Sequence, residues 1–242
     1  MEKSYVSQQI ADNFLRIREQ IANACHDAGR SVDEVTLLAV TKTVDAERIN
    51  AAIRLGVTEI GENRVQEFLG KRDDLELQGV RAHLIGHLQT NKVRQIVGNV
   101  QMIQSVDSLR VAQAIHRYSK EQGIVTPILV EVNIGGEEAK SGIAPVELER
   151  LLTDIAPLDG IQVRGLMTVP PILEKEREKR EIFSKMYQLF VDIGAKNIDN
   201  IGMQILSMGM SDDYPDAIAC GSTMVRVGTA IFGKRNYVTT HS

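Results

Sequence analysis

The sequence predicts a closed (β/α)8 barrel preceded by one extra N-terminal helix. Three observations carry that reading. Apolar, β-prone runs alternate with amphipathic helical stretches about eight times, and such strict alternation favours a parallel sheet with helical crossovers. Eight units within 242 residues fit a closed barrel better than an open doubly wound sheet. The connections are short and no Pro- or Gly-rich linker divides the chain, so residues 1–242 read as one domain.

Each element has its own signal. Over residues 8–27, Ile10, Phe14, Ile17, Ile21 and Ala24 share one helical face, and Gly29 stops the helix. Residues 35–40 are the first strand, and 45–55 a helix ended by Gly56. A short strand at 58–61 leads to a charged helix at 65–75, then a strand at 82–85 and a helix at 91–97 stopped by Gly98. The fourth unit is 102–106 with helix 109–122, stopped by Gly123. Residues 128–133 form the clearest strand, and 146–155 the next helix. Strand 163–168 precedes a long helix at 174–193, whose sign-alternating start at 174–181 reads as a solvated face. Strand 205–208, helix 212–219 and strand 225–227 complete the set, with Ala230-Ile231-Phe232 opening a closing turn.

Composition narrows the function. With 43% hydrophobic and 25% charged residues, the chain falls among ordinary globular proteins. A net charge of -4 without any Lys/Arg block gives no reason to expect nucleic acid or a membrane surface as partner. No apolar run approaches a membrane span, and the N-terminus lacks an apolar signal core. Cys25 and Cys220 lie far apart in no metal-like spacing, which fits reduced thiols in a cytoplasmic protein.

Lys42 ends the apolar run Val35-Thr36-Leu37-Leu38-Ala39-Val40-Thr41. Two readings compete. One is a lysine that caps the strand and snorkels to solvent. The other is a partly desolvated amine that forms a Schiff base. Barrels of this type work at the C-terminal ends of their strands, and unusual residues collect there. They include Gly61-Glu62-Asn63-Arg64, Gly86-His87, Ser105-Val106-Asp107-Ser108, Asn133, Met167-Thr168, Ser207-Met208-Gly209-Met210-Ser211 and Arg226-Val227-Gly228-Thr229. Each alone also suits a turn or a helix cap.

The last two clusters hold the most chemistry. Barrels often bind phosphate through the loops after strands seven and eight. There Ser207 and Gly209, then Gly228 and Thr229, offer hydroxyl and backbone donors. A phosphate site opposite a Schiff-base lysine suggests a phosphorylated aldehyde, with pyridoxal 5′-phosphate the obvious candidate. Arg226, two residues before Gly228, points inward on the same strand face and suits the pyridine nitrogen. A permanently charged guanidinium would keep that nitrogen unprotonated, which disfavours transamination and decarboxylation. His83 and His87 are four apart, about 13 Å along a strand, and so make a poor metal pair. Cys220 has no evident base.

In these motifs, and in Ala39-Val40-Thr41-Lys42, Gly61-Glu62-Asn63-Arg64-Val65-Gln66-Glu67 and the run from His83 to Lys92, the chain resembles the YggS/PROSC family of pyridoxal phosphate homeostasis proteins. The resemblance spans residues 14–237. It implies a barrel like the N-terminal domain of alanine racemase. It further implies that Lys42 carries the cofactor as a Schiff base, that Ser207, Gly228 and Thr229 hold the phosphate, and that Arg226 faces the pyridine nitrogen. Asn63 sits near the cofactor and Met167 lines the pocket on the same ground. The family lacks the racemase's second domain, whose tyrosine supplies the opposing acid/base. Tyr5, Tyr118, Tyr187, Tyr214 and Tyr237 lie at termini or on helices, so none is placed for that role. The expected function is a monomeric carrier of pyridoxal phosphate in vitamin B6 and amino-acid homeostasis, without established turnover, whose partners include apo-enzymes that use the cofactor. The alternatives are an amino-acid racemase or lyase using the same lysine, and a barrel whose lysine is structural.

Overall fold

The computed structural model describes residues 2–137, 140–171, 173 and 175–233, with backbone only for 2–5. Eight parallel strands close into a barrel in sequence order. They are β1 (Thr36–Val40), β2 (Glu59–Glu62), β3 (Arg81–Leu84), β4 (Met102–Val106), β5 (Thr126–Glu131), β6 (Ile161–Met167), β7 (Ile201–Ser207) and β8 (Met224–Val227). The helices are α1 (Glu2–Asp27), α2 (Ala46–Arg54), α3 (Val65–Lys71), α4 (Val93–Ile96), α5 (Leu109–Glu121), α6 (Leu148–Ile155), α7 (Glu176–Ala195), α8 (Tyr214–Ala219) and the single turn α9 (Thr229–Phe232). The extra helix α1 packs against α2, α8 and α9. Tyr214 donates to Gln20 Oε1 at 2.7 Å, and Asn13 Nδ2 to the Ile231 carbonyl at 3.0 Å.

Most predicted elements are present, with shifted ends. Helix α3 stops at Lys71 and a 3₁₀ turn, Arg72–Asp74, takes up the rest of the predicted stretch. The predicted helix at 91–97 divides into a 3₁₀ turn, Thr90–Lys92, and α4. Strand β7 begins at Ile201, before the predicted 205, because Gly202 and Gln204 mask its β pattern. Strand β5 ends at Glu131, and Val132 forms an isolated bridge to Ile143 while its N–H donates to the Met167 carbonyl at 2.8 Å. Glu174, the predicted start of the long helix, lies outside the described residues, as do Lys234, Tyr237 and His241. On α7 the charged stretch forms i,i+4 pairs, Arg177–Glu181 at 3.0 Å and Arg180–Glu176 at 3.3 Å, the solvated face expected of it.

The core has two parts, and the division decides where function can sit. A continuous apolar layer, including Ile10, Phe68, Ile103, Phe183 and Leu206, fills the space between strands and helices. Each fully buried side chain there contributes about 1.5–3 kcal/mol. Inside the barrel, Leu38, Val40 and Met224 form one apolar cluster with Ile85 and Ile205, and Met102, Leu129 and Met167 a second. Polar side chains fill the rest of the interior. A register shift in β6 shapes this interior. Gly165 has φ +151, and a Cβ there would lie 1.8 Å from the Ile205 carbonyl oxygen. Only glycine fits so close a backbone approach.

Candidate functional site at the C-terminal mouth

Leu38 and Val40 belong to the apolar cluster inside the barrel, and Lys42 lies in the turn that follows the end of β1 at Val40, at the C-terminal mouth. The partly buried Lys42 sits on a loop held from behind by a polar cluster. Lys71 Nζ donates to the carbonyls of Thr41 at 2.8 Å and Val44 at 3.1 Å. It also pairs with Glu62 and, at 3.3 Å, with Glu67. Thr41 Oγ1 donates to Glu62 Oε1 at 2.6 Å, and its N–H to the Gly61 carbonyl at 2.9 Å. Thr43, at φ +62, takes a Glu67 oxygen on its N–H and gives its hydroxyl to the Lys42 carbonyl at 2.6 Å. Glu62 is 1% exposed, and burial raises its pKa against the hydrogen bonds from Lys71 and Thr41.

Arg226 enters from β8 and is 4% exposed. Its Nη1 donates to Ser207 Oγ and its Nη2 to the Thr168 carbonyl, both at 2.7 Å. Burial pushes its pKa down to about 10, with Glu131 and Asp213 opposing, so the guanidinium remains a cation at neutral pH. Glu131, at the end of β5, takes a hydrogen bond from Ser141 at 2.7 Å. Burial raises its pKa against that bond, with Asp107 adding to the rise.

The phosphate candidates separate into two groups. Ser211 Oγ accepts from the Gly228 N–H at 3.4 Å and from Thr229 Oγ1 at 3.3 Å. Those three therefore gather around one point. Ser207 lies deeper, fully buried, with its hydroxyl shared between Arg226 and Gln104 Oε1 at 2.8 Å. Gly209 turns the chain between them. Its φ is +93, and a Cβ there would come within 2.6 Å of Ala217 Cβ; its carbonyl accepts from the Arg226 N–H at 3.0 Å. Asn63, just past β2, holds a buried Oδ1 with no hydrogen-bond partner. Met167 is 1% exposed in the inner apolar cluster.

Sequence reasoning passed over a file of buried polar side chains below Arg226. Ser207 Oγ donates to Gln104 Oε1, Gln104 Nε2 donates to His83 Nδ1 at 2.9 Å, and His83 Nε2 meets Glu59 Oε2 at 2.7 Å. Arg81 binds the other oxygen of Glu59 through both Nε and Nη2. Burial alone would raise the pKa of Glu59, but the bonds from His83 and Arg81 outweigh it and hold the carboxyl below its usual range. The file runs along the barrel axis, with the cation at one end and the anion at the other. Its legible signal is parity, since Glu59, His83 and Gln104 all fall on inward positions of β2, β3 and β4.

The orphaned Asn63 oxygen, the partly buried Lys42, the buried Arg226 and the Ser211–Gly228–Thr229 cluster all lie at or just past the C-terminal ends of the strands. Comparison with known proteins gives this mouth a class. The family described as alanine racemase, N-terminal domain, matches residues 8–236. An alanine racemase from Clostridium difficile shares the fold, with a TM-score of 0.72, 18% identity, and 94% of this chain against 58% of that one.

Much nearer are the curated pyridoxal phosphate homeostasis proteins. That of Aquifex aeolicus is 41% identical over 226 residues, covering 93% of this chain and 98% of the relative. That of Escherichia coli is 39% identical over 233 residues, covering 94% and 97%. Among solved structures, PipY of Synechococcus elongatus with PLP bound has a TM-score of 0.82 and 32% identity over 93% of this chain and 100% of that one. A Bifidobacterium adolescentis protein reaches 0.90 with 40% identity over 94% and 96%. The chain belongs to the pyridoxal phosphate homeostasis protein family.

Proposed function

We propose that this protein holds pyridoxal 5′-phosphate as a Schiff base on Lys42 and takes part in vitamin B6 and amino-acid homeostasis as a monomeric carrier rather than a catalyst. The observation that carries this reading is the convergence of Lys42, Arg226 and the Ser211–Gly228–Thr229 cluster on one barrel mouth. The bound cofactor supplies a reactive aldehyde and an electron-accepting ring; what the chain does with it depends on its own residues. The Ser211 and Thr229 hydroxyls and the Gly228 N–H receive the phosphate. Ser207 anchors Arg226, and Asn63 offers its unpaired oxygen to the ligand. Arg226 stays charged and so withholds a proton from the pyridine nitrogen, which weakens the ring as an electron sink. A racemase also needs a second acid/base opposite the lysine. Tyr118, Tyr187 and Tyr214 lie on α5, α7 and α8, with the Tyr214 hydroxyl given to Gln20.

The test compares visible spectra of wild type, Lys42→Ala and Arg226→Ala, then follows transfer of cofactor to an apo-enzyme. Wild type shows a borohydride-sensitive imine band and transfers its cofactor. Lys42→Ala loses the band, and Arg226→Ala shifts it and binds more weakly. A band that survives intact in Lys42→Ala sinks the assignment. Turnover between D and L amino acids by the purified protein would favour the racemase alternative.

A further inference from the structure

We propose that the opposite, N-terminal mouth of the barrel is a second ligand site, for a small organic anion bearing one carboxylate. A cavity of about 440 Å³ opens there, within the range of small-molecule sites. The starts of the strands line it, with Arg81 and Arg164 among them. It is the far end of the barrel from Lys42.

Charge matching singles out the ligand. Glu59 in this cavity is already met by Arg81 and His83, and Glu34 by Arg30 at 3.1 Å. Arg164 has no carboxylate partner among the described residues. Its Nε is buried without a hydrogen bond, and its Nη1 reaches only Gln162 Oε1 at 3.3 Å. The Gly165 register shift helps set this position: Val163 and Leu166 on either side pack into the outer core, which leaves Arg164 to the inner face. A planar guanidinium with an open fork matches a carboxylate. One unmatched cation is too little for a dianionic phosphate. Met102, Pro127 and Ile205 give the cavity apolar walls, so the ligand carries a short hydrocarbon part beside its carboxylate.

Glu59 and His83 belong both to this cavity and to the hydrogen-bonded file that ends at Arg226. An anion seated at Arg164 therefore alters the field on Glu59, and the aligned bonds carry that change to the other mouth. This second part rests on the reading of Lys42 and Arg226 as the cofactor site; the binding itself does not.

The experiment titrates purified protein with 4-methylpentanoate by calorimetry, with 4-methylpentanamide as the uncharged isostere and inorganic phosphate as the bare anion. The acid binds saturably, while the amide and phosphate bind at least about tenfold more weakly, the size of a lost charge-assisted pair. Arg164→Gln, checked for folding by circular dichroism, weakens the acid by about tenfold or more and leaves the amide unchanged. No saturable binding at millimolar acid, equal binding of acid and amide, phosphate binding as tight as the acid, or an unaffected Arg164→Gln each overturns the site. Cofactor-loaded protein is then followed by its visible band. The acid changes cofactor release in wild type, whereas Gln104→Met binds the acid normally but shows no change in release. An identical response in both proteins, or none in wild type, overturns the coupling. Absence of any visible band defeats the cofactor reading and leaves the calorimetry standing.

Discussion

Lys71→Met isolates the cluster that holds the Lys42 loop, and the structure sets the size of its effect. The substitution keeps the length of the aliphatic stem and removes the ammonium that binds two loop carbonyls and pairs with Glu62. Glu62, 1% exposed and already raised in pKa by burial, is then left without its cation. A buried carboxyl so placed takes up a proton instead of carrying a charge. Doing so costs about 1.36 kcal/mol for each pH unit above the usual carboxyl value. At pH 7 that is at most roughly 3 kcal/mol, since wild type already bears part of it, near the lower end of the ~3–5 kcal/mol expected when one partner of a buried pair is removed. In a chain of this size the melting temperature falls by up to about 6–12 °C.

The sign of the pH dependence follows from the same carboxyl. Its folded pKa lies above the unfolded value, so the protonated form's contribution is full below the unfolded value and is lost as pH rises. Lys71→Met raises the folded pKa further, and its deficit against wild type therefore narrows by up to about 2.7 kcal/mol between pH 7 and pH 5. Thermal and urea unfolding of wild type, Lys71→Met, Glu62→Gln and the double variant, at both pH values, measure this. The double variant recovers much of the loss, because no buried charge remains unpaired. A deficit independent of pH, or a double variant no better than Lys71→Met, would refute the reasoning.

Two other expectations concern the barrel interior. Ser211→Ala weakens pyridoxal 5′-phosphate by about tenfold, the worth of one hydrogen bond to a charged group, yet hardly changes binding of pyridoxal, which lacks the phosphate. Ser207→Ala instead moves the visible band by loosening Arg226, and equal losses for both ligands in Ser211→Ala would contradict the division of labour. Glu59→Gln costs about 1–3 kcal/mol of stability at pH 7. The folded Glu59 carboxyl lies below its usual 4.5, so its contribution is present above that value and lost as pH falls through the folded one. The gap to wild type should close in acid unfolding curves, and a gap that widens there argues against a charged Glu59.

The parts of the site that local pattern controls were legible in the sequence. An apolar strand ending in lysine placed Lys42 at the mouth, and parity on β8 turned Arg226 inward. Ser207 and Ser211 show what local pattern leaves open. Both flank Gly209, Ser207 reads as a phosphate ligand, and nothing local singles out Ser211. Only the pairing of β7 with β8, with Ser207 opposite Met224, commits Ser207 to the interior and leaves Ser211 beside Gly228. By sequence proximity His83 has His87 as its neighbour, a poor metal pair on a strand. Its partners are instead Glu59 on β2 and Gln104 on β4, which register between strands brings together. Arg164 was hidden for the same reason: its inward position depends on the register shift at Gly165, a matter of β6 against β7.

The interior file also bears on why Arg226 works as a steady cation. A barrel axis packed with aliphatic layers would avoid the desolvation of five polar side chains. Here each member is satisfied by the next, from Arg226 through Ser207, Gln104 and His83 to Glu59, and breaking any link leaves an orphan costing about 1–3 kcal/mol. All donors point towards Glu59, so the dipoles add and support positive charge at the Arg226 end. The carboxylate that anchors them stands at the opposite mouth, out of contact with Arg226. That arrangement stabilises the guanidinium without a paired carboxylate covering it, and Nη1 and Nη2 donate to Ser207 and to the Thr168 carbonyl. In the proposed function, a cation held from behind in this way would face the ligand nitrogen while giving up no proton to it.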